Sequence, residues 1–113
     1  MAEPQAHAPE LTEHEAVAQF ERAVHERGDA LAHFNLGSAY FVAHELDHAF
    51  PEFQQALAQS PNLDHAHYYL GVIYKQRGDM QNARKEFQQV LNSNANPMLK
   101  SQATIQLNAM DKK

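Results

Sequence analysis

Two six-residue segments, Asn35-Leu36-Gly37-Ser38-Ala39-Tyr40 and Tyr69-Leu70-Gly71-Val72-Ile73-Tyr74, share Leu-Gly-x-x-Tyr at an offset of 34 residues. The register extends well beyond them. Ala49 and Ala83 stand twelve residues after the two glycines, Phe53 and Phe87 four further on, and Gln-Gln follows each phenylalanine. His33 and His67 match at the same offset, as do Leu57 and Leu91. A fixed period of this length, with helical spacing inside each copy, is the signature of a solenoid in which each unit buries its apolar face against the next.

The spacing inside a copy sets the local structure. Phe34, Leu36, Tyr40 and Phe41 recur at helical intervals, which predicts an amphipathic first helix, and Ala49, Phe53, Ala56 and Leu57 predict a second. Gly37 and Gly71 fall inside helices, where glycine costs about 1 kcal/mol relative to alanine. A close helix–helix approach would offset that cost, and the small residues Ala49 and Ala83 are the expected partners of Gly37 and Gly71. Ser60-Pro61-Asn62 and the segment Ser93 to Pro97 are expected to end one helix and cap the next. Pro51 falls early in a second helix and predicts a distorted first turn rather than a helix delayed to Phe50.

The flanks extend the stack. Thr12-x-x-Glu15 reads as a capping box ahead of Ala16, Val17, Phe20, Ala23 and Val24. Leu99, Ala103, Leu107 and Met110 form the narrower stripe of a closing helix. Residues 1–9 hold two prolines and no apolar periodicity, and are expected to be disordered. The rest, residues 10–110, reads as one domain: a helix over 12–27, repeats over 30–63 and 64–97, and a capping helix over 97–110.

The pattern Leu-Gly-x-x-Tyr, Ala-x-x-x-Phe, Ala-Leu and Ser-Pro-Asn resembles the tetratricopeptide repeat, over about three fifths of the chain. That resemblance implies an all-α, right-handed α-solenoid of antiparallel helix pairs. Two full units would be flanked by an N-terminal half-unit helix and a C-terminal capping helix. Departures fall at His33 and His67, where the family usually has a large aromatic, at His44 in place of a turn glycine, and at Ala95 in place of a closing proline.

The resemblance further implies a concave face, built from first helices, that binds protein segments. Its residues here would be Leu31, Phe34, Asn35, Ser38 and Val42; then His65, Tyr68, Tyr69, Val72 and Gln76; then Leu99, Gln102 and Gln106. Phe41 and Lys75 would stand at its edge. Tyr40 and Tyr74 fill the core-facing slot, which leaves Phe34, Tyr68 and Tyr69 surplus to packing and available for a ligand. On that basis Tyr69→Ala should weaken binding and leave stability nearly unchanged. Family members that clamp acidic chaperone tails use lysines, an arginine and asparagines on these helices; this chain has Phe34, Ser38 and Tyr69 at corresponding places.

Composition excludes several function classes. The 113 residues contain no cysteine, so disulfide scaffolds, zinc-thiolate sites and thiol catalysis are out. The net charge of −5 argues against nucleic acid, whose phosphates call for a basic stripe. That charge is unevenly spread: residues 1–64 sum to −9 and residues 65–113 to +4. The longest nearly continuous apolar stretch, Tyr68 to Tyr74, is far short of a membrane span, and the first residues do not form a secretory signal. No membrane association and a cytoplasmic location are expected.

Three motifs look more chemical than they are. His44-Glu45-Leu46-Asp47-His48 matches the His-Glu-x-x-His of zinc proteases, but the repeat frame places residues 44–47 in a turn. His65 and His67 lie about 200° apart around a helix and cannot share a metal, and buried packing is the better reading of His33 and His67. Arg27-Gly28-Asp29 and Arg77-Gly78-Asp79 fall where a helix stops at glycine and aspartate caps the next. No phosphate loop or nucleophile elbow is visible. The expectation is a non-enzymatic adaptor with no cofactor and no metal, binding an apolar peptide or amphipathic helix of a protein partner. The alternative is a weak homo-oligomer stacking its acidic N-terminal end on its basic C-terminal end.

Overall fold

The computed structural model describes residues 12–111, so the 1–9 segment lies outside the described residues. Six helices follow in order: α1 (Glu13–Glu26), α2 (Ala30–Val42), α3 (Leu46–Gln59), α4 (Asp64–Gln76), α5 (Met80–Leu91) and α6 (Pro97–Met110). There is no strand among the described residues. Each helix packs on its neighbour in sequence, most closely α2 on α3 and α4 on α5. The result is elongated, 58 × 34 × 27 Å, with a radius of gyration of 16.3 Å. A compact domain of about 100 residues would have about 13 Å.

The apolar spacing becomes two linked cores. Leu36, Tyr40, Ala49, Phe53, Ala66, Leu70 and Ile73 form the first, and Ala83, Phe87, Val90, Leu99, Ala103 and Leu107 the second, with Tyr74 packed against both. The helical glycines do sit at close approaches, but their nearest neighbours are not the expected alanines. A Cβ on Gly37 would meet the Phe53 ring at 2.9 Å, and one on Gly71 would meet the Phe87 ring at 2.6 Å. Both rings are fully buried. The glycine makes room for a phenyl ring, a larger apolar group than any alanine could bury there.

The caps are more varied than the packing. The Thr12–Glu15 capping box is present, with Glu15 N–H donating to Thr12 Oγ1 and Thr12 N–H to Glu15 Oε1. Asp29, Asp79 and Asn96 cap α2, α5 and α6 through their side chains. Gly28 and Gly78 have φ of 62° and 81°, so both Arg-Gly-Asp tripeptides are helix-stop and helix-cap devices. Ser60-Pro61-Asn62 does not cap α4, which begins at Asp64 behind Leu63, an N-cap residue whose side chain makes no capping hydrogen bond.

The α2–α3 turn uses His44 at φ 64°, a left-handed conformation that the second unit gives to Gly78. α3 then starts at Leu46 and passes through Pro51 unbroken. Its first turn is tightened, Glu45 O accepting from both His48 and Ala49 N–H. Pro51, the sixth residue, only withdraws a donor from the Asp47 carbonyl near the helix start.

Candidate functional site: the first-helix face

α2, α4 and α6 form one layer, joined side by side through long side chains. Tyr69 of α4 is the hub. Its ring lies 4.8 Å from Phe41, 5.3 Å from Phe53 and 6.2 Å from Phe34, and 6.0 Å from its neighbour Tyr68. Tyr68 in turn packs 5.6 Å from Phe87. Between α4 and α6, Lys75 Nζ donates to Gln106 Oε1 at 2.8 Å and Gln106 Nε2 to the Tyr68 hydroxyl at 3.3 Å. Phe34, Tyr68 and Tyr69 are therefore partly buried mortar between units, and the view of them as surplus to packing is corrected. Truncating Tyr69 would open a void among four rings and cost stability directly.

This aromatic seam divides the face. Asn35, Ser38 and Val42 line a depression of about 340 Å³ with Ala16 and Phe20 of α1. Val72 and Gln76 line a second, of about 260 Å³, with Lys75, Met80 and Gln106. Leu31, His65 and Gln102 are exposed outside both. Leu99 is not on the face at all. It is 3% exposed and packs into the second core, because α6 turns its Leu99–Ala103–Leu107 stripe toward α5.

Five large apolar side chains are markedly exposed among the described residues. Leu31 (59%) and Val42 (61%) are on α2, Met98 (71%) and Ile105 (65%) on α6, and Met80 (42%) borders the α4–α6 cleft. None lies on α1 or α3. Isolated exposed apolar residues are ordinary on a folded surface; here four of the five lie on the first helices α2 and α6, and the fifth, Met80, opens α5.

The histidines at the departure positions do specific work. His33 Nδ1 lies 2.7 Å from Glu52 Oε1 and His67 Nδ1 2.7 Å from Glu86 Oε1, each pair tying a first helix to its second. His67 Nε2 also lies 2.8 Å from the Pro61 carbonyl. With both ring nitrogens facing acceptors, the doubly protonated ring satisfies both. The hydrogen bond to Glu86 raises the His67 pKa above its ordinary 6.5, against the opposing effect of burial, with the Pro61 carbonyl and the Asp64 charge adding to the rise. Glu52 and Glu86 share the 34-residue offset of His33 and His67, a signal that apolar periodicity alone passes over. On α2, burial and the hydrogen bond that its hydroxyl donates to Glu21 (2.7 Å) push the Tyr40 pKa upward and tie α1 to the stack.

His44 and His48 do not share a helix: His44 is in the turn, while His48 is on α3 with its ring 5.2 Å from Tyr40. No helix among the described residues is long and apolar enough to cross a membrane.

Known proteins bear on the geometry in two ways. Two family models described as tetratricopeptide repeat match, one over residues 43–103 and the other over 14–64. The crystal structure of MamA is similar, with a TM-score of 0.68 and 25% sequence identity over 73% of this chain. The chain spans 48% of that structure's length. No curated protein sequence matches.

Proposed function

The chain belongs to the tetratricopeptide repeat family, and from that premise we propose that it is a non-enzymatic protein-interaction adaptor. Its first-helix face holds an apolar peptide or amphipathic helix. The observation that carries this reading is the placement of the exposed apolar residues: Leu31, Val42, Met98 and Ile105 on α2 and α6, and Met80 beside Val72 in the α4–α6 cleft. An apolar helix docks by inserting a few anchors at i, i+3, i+4 and i+7. The cleft beside Val72 and Gln76, walled by Met80 and bridged by Lys75 and Gln106, suits one such anchor.

Panning the intact chain against random peptides of helical length tests the reading. Amphipathic sequences should be enriched, and Gln76→Glu with Ile105→Glu should abolish their binding while leaving the unfolding midpoint in place. Both positions are exposed, so neither change disturbs the core. Enrichment of acidic, charge-dominated peptides, or binding indifferent to the double variant, would remove the face from this role.

The charge asymmetry, −9 over residues 1–64 and +4 over 65–113, favours a second reading. Head-to-tail association through opposite charges would vanish by about 0.5 M salt, where the Debye length is below about 5 Å. Light scattering across a salt series distinguishes this from a salt-independent monomer.

A further inference from the structure

The polar groups across the α4–α6 cleft run in one direction. Lys75 Nζ donates to Gln106 Oε1 at 2.8 Å, and Gln106 Nε2 donates to the Tyr68 hydroxyl at 3.3 Å. Chemistry fixes that order: an ammonium has only donors, so the amide oxygen faces Lys75 and the amide nitrogen faces Tyr68. Both ends of the network are therefore donors. Lys75 keeps two further N–H groups, and the Tyr68 hydroxyl, already accepting, keeps its own proton to give. Neither has a second partner among the described residues.

No carboxylate answers Lys75. Arg27, Arg77 and Arg84 each face an aspartate, whereas the partner of the half-buried Lys75 is a neutral amide. The cleft lining of Val72, Lys75, Gln76, Met80 and Gln106 includes no acid. Asp79, the nearest acid in sequence, has both oxygens on Asn82, and Glu86 is engaged by His67. Asp64, the sole acid on α2, α4 and α6, stands eleven residues before Lys75, about 16 Å along the helix. A hydrogen bond from an ammonium to an ionised acceptor is about twice as strong as one between neutral groups, so a carboxylate is what this cleft lacks.

We infer that the α4–α6 cleft selects a partner helix carrying an acidic side chain one turn from its apolar anchor. The carboxylate meets Lys75 while the anchor sits between Val72 and Met80. This rests on the peptide-binding reading above and names which peptides the cleft takes. Val72 and Lys75 are three residues apart on α4, a spacing that places their side chains about 5–6 Å from one another. A helix packed against them presents the matching separation between residues three or four apart. A helix without the acid covers the ammonium and leaves it without a counter-charge, and a basic one adds repulsion.

Three synthetic helical peptides of about fourteen residues provide the probe, each with leucine at i, i+3, i+4 and i+7 on an alanine–glutamine background. They differ only at i+1 and i+8, one turn either side of the leucine at i+4, where they carry glutamate, glutamine or lysine. Fluorescence anisotropy follows their binding to the intact 113-residue chain. The glutamate peptide should bind about fivefold more tightly than the glutamine peptide, and the lysine peptide most weakly. The gap should narrow by about 0.5 M salt. Lys75→Met should bring the glutamate and glutamine peptides to one affinity, and Lys75→Glu should invert the order in favour of lysine. If Lys75→Glu lowers the unfolding midpoint, Lys75→Met carries the test. Equal affinities for glutamate and glutamine in the native chain, or a preference that survives Lys75→Met, would overturn the selection and leave the peptide site standing. Absence of binding by all three would overturn the helix-binding reading and this inference with it. A dimer in sedimentation equilibrium that Lys75→Glu dissociates would give the cleft to a second copy and overturn the partner assignment.

Discussion

The two internal units, residues 30–63 and 64–97, reach the same packing with different local chemistry. Each seats a buried phenyl ring, Phe53 or Phe87, on a helical glycine, and each ties its helices with a histidine–glutamate pair at 2.7 Å. Around that shared centre the boundaries have traded devices. The first unit has a capped first helix (Asp29), an uncapped second helix carrying Pro51, and a turn forced through His44. The second has an uncapped first helix, a second helix capped by Asp79, and a glycine turn. A ring against a glycine has few substitutes in a close-packed interior, whereas a cap or turn worth about 1 kcal/mol can be absent at one end of a unit and recovered at the other.

The comparison can be broken most severely at the rings. Phe53→Ala and Phe87→Ala should each cost about 3–5 kcal/mol, read from denaturant midpoints at constant slope. A cost below about 1 kcal/mol in either unit would mean that its ring is not the keystone. The glycines sharpen the same point. Gly71→Ala should destabilise by about 1–3 kcal/mol despite alanine's better helix propensity, and Gly37→Ala by less, because the approach at Gly71 is 0.3 Å closer. The reverse order would contradict the two gaps.

The turns give a smaller and opposite pair of effects. His44→Gly should stabilise by about 1 kcal/mol by relieving a left-handed residue, while Gly78→Ala should destabilise by a similar amount. Differential scanning calorimetry on both variants checks the signs. At the caps, Asp79→Ala should cost about 1 kcal/mol and Leu63→Ser should recover a few tenths, since the new cap works against the removal of leucine's buried apolar surface. Destabilisation by both variants would show that α4 needs Leu63 for packing more than it needs a cap.

The smallest effect is a pH dependence specific to the second unit. His67 has its pKa raised in the folded state, chiefly by Glu86 on α5, with the Pro61 carbonyl and Asp64 also facing it. Its stabilisation is therefore fully present below about pH 6.5, the unfolded value, and is lost as pH rises through the higher folded value. The urea midpoint of the native chain should fall between pH 6 and pH 8 by more than that of His67→Gln. Parallel curves for the two would remove His67 from the linkage.

Much of the site's frame was legible because periodicity records burial. Leu36, Leu70, Phe53, Phe87 and the closing stripe of α6 could be placed on buried faces from spacing alone, and the Thr12–Glu15 box from two residue types three apart. Exposure on the outer half of each first helix was harder. Tyr69 and Leu99 occupy face positions by register, yet one is bound into the inter-unit seam and the other is core. Register fixes a side chain's direction from its own helix; what it meets depends on the neighbouring helix.

From its sequence the chain determined the six helices of the described residues, a two-fold repeated unit and the residues that turn inward, because the 34-residue period and the 3.6-residue pitch are properties of the chain itself. Tertiary structure alone decided that the glycines face phenylalanines rather than alanines, that aromatic rings divide the first-helix face, and that no residue of α1 is fully buried. Those outcomes depend on distances between helices, set by how side-chain volumes from different segments fill a common space.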